Sequence, residues 1–224
     1  MKPIKLIEHE ASIVLVGKFN PAIFQPEWLF NRELITETDH AGAKVEIIHP
    51  NITIIKLAWA HIEVRLDKFI ARTKDPAYHG ALRDLVLSIF ILLEHTPITA
   101  VGFNSLLYYE AINTETWHHI GHTLVPKKLW HEYLPEHIGM HNVTVLSQRN
   151  DGLEGRITVA VAPVLDTLNR ILIDINSHIE INKDMKLFQV FSEHWENSQK
   201  DALKISTGIL TKAANYDIDS NSTC

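Results

Sequence analysis

Asn169-Arg170-Ile171-Leu172-Ile173-Asp174-Ile175-Asn176-Ser177-His178-Ile179-Glu180-Ile181 is the most regular stretch of the chain. Ile171, Ile173, Ile175, Ile179 and Ile181 fall on one face of an extended segment. Asp174, Asn176, His178 and Glu180 fall on the other. A period of two with this contrast marks a strand buried on one side and wet on the other, the pattern of an antiparallel sheet. Asn182-Lys183-Asp184 then caps a final helix, along which Leu187, Val190, Phe191, His194, Ser198, Ala202, Ile205 and Ile209 trace one stripe. A half-wet strand running into a long amphipathic helix reads as a sheet with a helix laid across it.

The flanking sequence repeats the theme. Asn142 to Gln148 and Arg156 to Ala162 are strands, joined through the hairpin signal Arg149-Asn150-Asp151-Gly152. Ile98 to Tyr109 is a long strand in which Gly102 marks a bulge or a close-packing point. Asp75-Pro76 starts a helix carrying Leu82, Leu85, Val86, Ile89 and Leu93 at helical spacing, and His95-Thr96-Pro97 ends it. Lys44 to Ile48, Ile52 to Leu57 and His61 to Leu66 are further strands. Ser12 to Phe19 is uniformly apolar through Ile13-Val14-Leu15-Val16, so burial on both faces is expected there.

Strands thus come in hairpin-like groups and helices come singly. The fold class is α+β: largely antiparallel sheet packed by the Pro76-to-His95 helix and the long C-terminal helix. Residues 1–214 are expected to form one domain of two strand-helix halves joined near 113–138, with 215–224 as a disordered tail.

Composition narrows the setting. The 224 residues are 46% hydrophobic and 21% charged, ordinary for a globular chain. A net charge of −6 argues against a nucleic-acid partner. Cys224 is the one cysteine, which excludes an intrachain disulfide and a cysteine zinc site and fits a reducing cytoplasm. No hydrophobic leader follows Lys2 and Lys5, and the longest apolar run, Val86 to Leu93, is too short to span a bilayer. A cytoplasmic protein without a membrane partner is expected.

Histidine is the abundant oddity: fourteen in all, six of them between His118 and His141. His118 and His122, spaced i, i+4, share a helix face and could chelate a divalent metal, with Glu115 or Glu132 completing the site. The plainer reading is a set of solvated or hydrogen-bonded imidazoles, since no His-Glu-x-x-His motif occurs. No nucleophile elbow and no phosphate-binding glycine loop is present, so no catalytic residue and no cofactor is assigned. Trp117, Trp130 and His131 in the same connector form a candidate interaction patch, set against the commoner fate of tryptophan as core. The resulting expectation is a non-catalytic interaction or regulatory protein. It would pair with a second copy as a homodimer, or with a partner protein, through a sheet edge or the Trp-His connector. The alternatives are a metal-dependent hydrolase using the connector histidines and a small-ligand binder with a pocket between sheet and helix.

One resemblance bears on the chain as a whole. Its elements are the hairpin from Met140-His141-Asn142-Val143 to Val161-Ala162-Pro163, the strand Ile173-Asp174-Ile175-Asn176-Ser177-His178, the strand Pro97-Ile98-Thr99-Ala100-Val101-Gly102-Phe103-Asn104 after a helix, and Phe191 and Trp195 on the last helix. Together these resemble a sporadically distributed family of uncharacterised bacterial proteins of about this size. The resemblance lies in the layout of most of the chain and brings no catalytic residues. It implies an accessory role, such as phage defence or a toxin–antitoxin-like operon.

Overall fold

The Ile171, Ile173, Ile175 and Ile179 side chains are all buried on one face of strand β9 (Arg170–Glu180), while Asp174 and Glu180 on the other face are exposed. The computed structural model describes residues 2–134 and 137–216. The first part of the chain runs β1 (Ile4–Gly17), α1 (Pro26–Asn31), α2 (Glu37–Gly42), β2 (Lys44–His49), β3 (Ile52–Lys56), β4 (His61–Arg65), β5 (Lys68–Thr73) and α3 (His79–Leu92). The second runs β6 (Ile98–Ala111), α4 (Thr114–Leu124), β7 (Val143–Gln148), β8 (Gly155–Pro163), β9 and α5 (Leu187–Ala214). All nine strands join one antiparallel sheet in the order β2-β3-β4-β5-β1-β6-β9-β8-β7. The architecture is therefore α+β, as the strand grouping implied.

That order contains the same plan twice. In each part a 14-residue strand, β1 or β6, comes first and sits at the sheet centre. Helix follows, then a meander that starts at the outer edge and works inward to lie beside the first strand, then a closing helix. The two plans meet where β1 and β6 pair, from Ile4↔Ala111 to Gly17↔Ile98. The second plan begins at β6, directly after α3, and α4 with the turns up to Leu134 lies within it.

Cross-strand rows show which face the helices cover. Ile55, Ile62, Ala71, Ile13 and Phe103 lie in register and are all buried. The next row, Lys56, His61, Arg72, Ser12, Asn104, Asn176 and Thr158, points to the opposite, polar face. Hydrophobic burial thus comes from a two-layer arrangement with one sheet face packed. Two apolar clusters form it. One gathers Phe24, Phe69, Phe90, Phe103, Phe191 and Trp195 under α3 and the start of α5. The other gathers Ile120, Leu107, Ile173 and Leu210 under α4 and the end of α5.

Three local expectations need correcting. β1 begins at Ile4, earlier than expected, and over its apolar stretch buries Ala11, Ile13 and Leu15 while Val16 is exposed, so that stretch alternates as β9 does. Asp75 caps a 3-10 turn, Pro76–Tyr78, that leads into α3, since its carboxylate accepts from Ala77 N at 2.9 Å. On α5 the buried stripe runs Phe191, Trp195, Gln199, Ala202, Ser206, Leu210 and Ala213, displaced by one position from the apolar trace through His194 and Ser198. Helical geometry outranks polarity here because the two polar members are paired: Ser206 with Tyr109 OH at 2.8 Å and Gln199 with Ser105 Oγ at 3.0 Å. Asn215 and Tyr216 close α5, and residues 217–224, expected as a tail, lie outside the described residues. Among the described residues no helix is long and apolar enough to cross a membrane.

Candidate functional site

Two features follow from this layout: a pocket beside α4 and the outer edges of the sheet. α4 starts at Asn113, whose side-chain oxygen accepts from Thr116 N at 2.8 Å, and Glu115 in the first turn suits the helix dipole. Val125 and Pro126 end it. Ile120 is its buried anchor, and Thr123 Oγ1 donates to the Ala213 carbonyl of α5 at 3.2 Å. His119 Nε2 donates to the Tyr216 carbonyl at 2.8 Å. These contacts fix α4 against α5 and leave its His118–Gly121–His122 side turned toward a cavity of about 380 Å³. The apolar floor of this cavity comes from Trp117, Ile120, Met140, Pro163 and Ile171. Its rim carries His118, His122, Lys127 and His137.

The expected residues fall as follows. His118 and His122 do share the pocket side of α4, with ring centroids 6.3 Å apart. Among the described residues no group of three or more His, Cys, Asp or Glu side chains is arranged to hold a metal ion. Trp117 is half-buried on the pocket floor, and its indole N–H donates to the Arg170 carbonyl at 3.0 Å, tying α4 to the start of β9. Trp130 and His131 lie on the exposed turn beyond a 3-10 segment, Lys127–Leu129, together with Tyr133 and Leu134. The three proposed interaction residues are thus divided between the pocket floor and a surface turn. His122 titrates below its ordinary value because burial disfavours its charge, and Lys127, His118, His119 and His131 add positive charge nearby.

Sequence reading did not single out Gly121 or Lys127. Gly121 is a glycine inside a short helix, on the side that lines the cavity, at a cost in helix stability.

The two outermost strands differ in chemistry. On β2 every residue is exposed, but the strand carries Lys44, Glu46 and His49, and its register breaks between Val45 and Ile47. Charge and irregularity of this kind discourage addition of another strand. β7 reads Val143-Thr144-Val145-Leu146-Ser147-Gln148, with no charge and no proline. Its register with β8 is unbroken from Val143↔Val161 to Gln148↔Arg156. Val145 is 63% exposed and Leu146 58%.

Compared with protein-family models and with curated proteins, the chain matches none.

Proposed function

We propose that the protein is a non-catalytic interaction module that acts by strand addition at β7, and that the strand it adds is β7 of a second copy. The observation that carries this reading is the contrast between the edges: β2 is charged and irregular, whereas β7 is straight in register, uncharged and apolar at its centre. A free edge presents unpaired backbone donors and acceptors, and nothing on β7 blunts it. An uncharged strand has no like-charge clash with its own copy, so an antiparallel pair about a twofold axis is self-complementary. Such a pair brings Val145 and Leu146 to the middle of the interface and continues the sheet across two molecules.

Sedimentation velocity at micromolar concentration tests the reading. The wild-type protein should sediment as a dimer. Val145→Lys and Leu146→Lys should each give a folded monomer, because both side chains are exposed and contribute little to the fold. Ile48→Lys on β2 and Trp130→Ala on the connector turn should leave the dimer intact. A monomeric wild-type protein, or a dimer that survives both β7 variants, overturns the proposal. Dissociation by Trp130→Ala alone would move the interface to the connector.

A further inference from the structure

The α4 pocket has a charge pattern unlike that of four other clefts among the described residues. Three imidazoles and one ammonium, His118, His122, His137 and Lys127, edge it, and no carboxylate lies among its described lining residues. This is unexpected in a chain whose net charge is −6. Four other clefts each have a carboxylate in the wall: Glu33, Asp151, Glu94 and Glu27 respectively. Lys127 and the three imidazoles therefore face the pocket with no carboxylate beside them among the described lining residues. Beneath them the floor is apolar, and an apolar concavity with a few convergent polar groups is the general form of a small-ligand site.

Gly121 shows how much room the pocket leaves. A glycine within a helix is usually explained by a close approach that leaves no room for a side chain. Here a Cβ built on Gly121 meets nothing within 4 Å, and Gly139 across the pocket is equally unobstructed. A methyl group at either position would meet open space, so the pocket has room to spare on both sides.

We propose that this pocket binds a small amphipathic anion, an apolar body bearing one carboxylate, with the body on the Trp117–Ile171 floor and the carboxylate among His118, His122 and Lys127. The histidines then act as hydrogen-bond donors to an anion and not as ligands of a metal. The fit rests on complementarity: one ammonium and three imidazole hydrogen-bond donors at the rim, with no carboxylate among the described lining residues, and an apolar surface below that water solvates poorly.

Octanoate and 4-phenylbutyrate serve as probes with a flexible and an aromatic body, and 1-octanol and octylamine as neutral and cationic controls. Isothermal titration calorimetry on the full chain should show saturable binding of at least one carboxylate, roughly ten-fold or more tighter than either control, as expected when a charge-assisted contact is added to apolar burial. Gly121→Phe should fill the cavity and abolish binding with an unchanged circular dichroism spectrum, whereas Gly121→Ala should retain it. The double variant His122→Gln, Lys127→Gln should reduce carboxylate affinity to that of octanol. Absence of binding by both carboxylates, equal binding of all head groups, or binding that survives Gly121→Phe overturns the proposal. A rise in melting temperature with zinc alone that His118→Ala removes, without a response to either carboxylate, would overturn it in favour of a metal site.

Discussion

At the residue scale the buried polar network is the most informative feature. His9 is almost fully buried and its Nε2 lies 3.1 Å from Ser105 Oγ, which donates to Gln199 Oε1 at 3.0 Å. The hydroxyl proton is committed to Gln199, so the imidazole donates to Ser105 and is neutral at its other nitrogen. Burial, with a smaller contribution from His79, whose ring centroid is 4.8 Å away, lowers the His9 pKa to about 4, against a hydrogen-bond contribution from Gln199 that raises it. The unfolded chain then binds more protons than the folded one between the ordinary histidine value and 4. The neutral His9 contribution is complete above about pH 6.5 and is lost as the pH falls toward 4, a change of up to about 3 kcal/mol. Urea unfolding at pH 7.5 and 5 should show roughly two-thirds of this drop, and His9→Gln should flatten the pH dependence. An equally steep dependence in the variant would assign the titration to other groups. Phe191 offers a second test. It is fully buried and meets Phe103 edge-to-face at 5.3 Å, so Phe191→Ala should destabilise by about 3–5 kcal/mol. An unchanged thermal midpoint would mean that α5 does not hold the sheet.

At the element scale, α4 and β7 show how local sequence and placement divide the work. The i, i+4 pair of His118 and His122 is a local fact, written in the sequence. Gly121→Ala should stabilise the protein by roughly 0.5–1 kcal/mol, because alanine is the better helix former and its Cβ meets open space. A lower melting temperature for that variant would show that the pocket wall is closer than the geometry gives. The hairpin of β7 and β8 was legible from its turn signal and its β-branched residues. That β7 would be the unprotected edge was not. Edge position depends on where a meander stops in a nine-strand order, which no local pattern encodes.

At the scale of the molecule, the two plans should unfold together. β1 and β6 pair along nearly their full length, and α5 crosses from the Phe191–Trp195 cluster to the Leu210–Ala213 cluster, so neither part keeps its core without the other. Loss of tryptophan fluorescence, which samples Trp28 and Trp59 in the first part and Trp117, Trp130 and Trp195 in the second, should coincide with loss of far-ultraviolet circular dichroism in one urea transition. Two separated transitions would show that the β1–β6 junction is weaker than either part.

The sequence by itself determined the α+β class, the strands that alternate cleanly, the spans of α3 and α5 to within a few residues, and the histidine pair on α4. These features are periodic, and periodicity of burial is a one-dimensional signal. Tertiary structure decided the rest. It made the apolar stretch of β1 alternate although Val14 and Val16 are apolar, because helices cover only one side of the sheet. It rotated the α5 stripe onto Gln199 and Ser206, because Ser105 and Tyr109 of β6 stand opposite with hydrogen bonds to offer. It also brought Lys127 and His137 from separate turns to the rim above Ile171 of β9. Such meetings join residues far apart in the chain, and only the packing of elements against one another sets which of them come within reach.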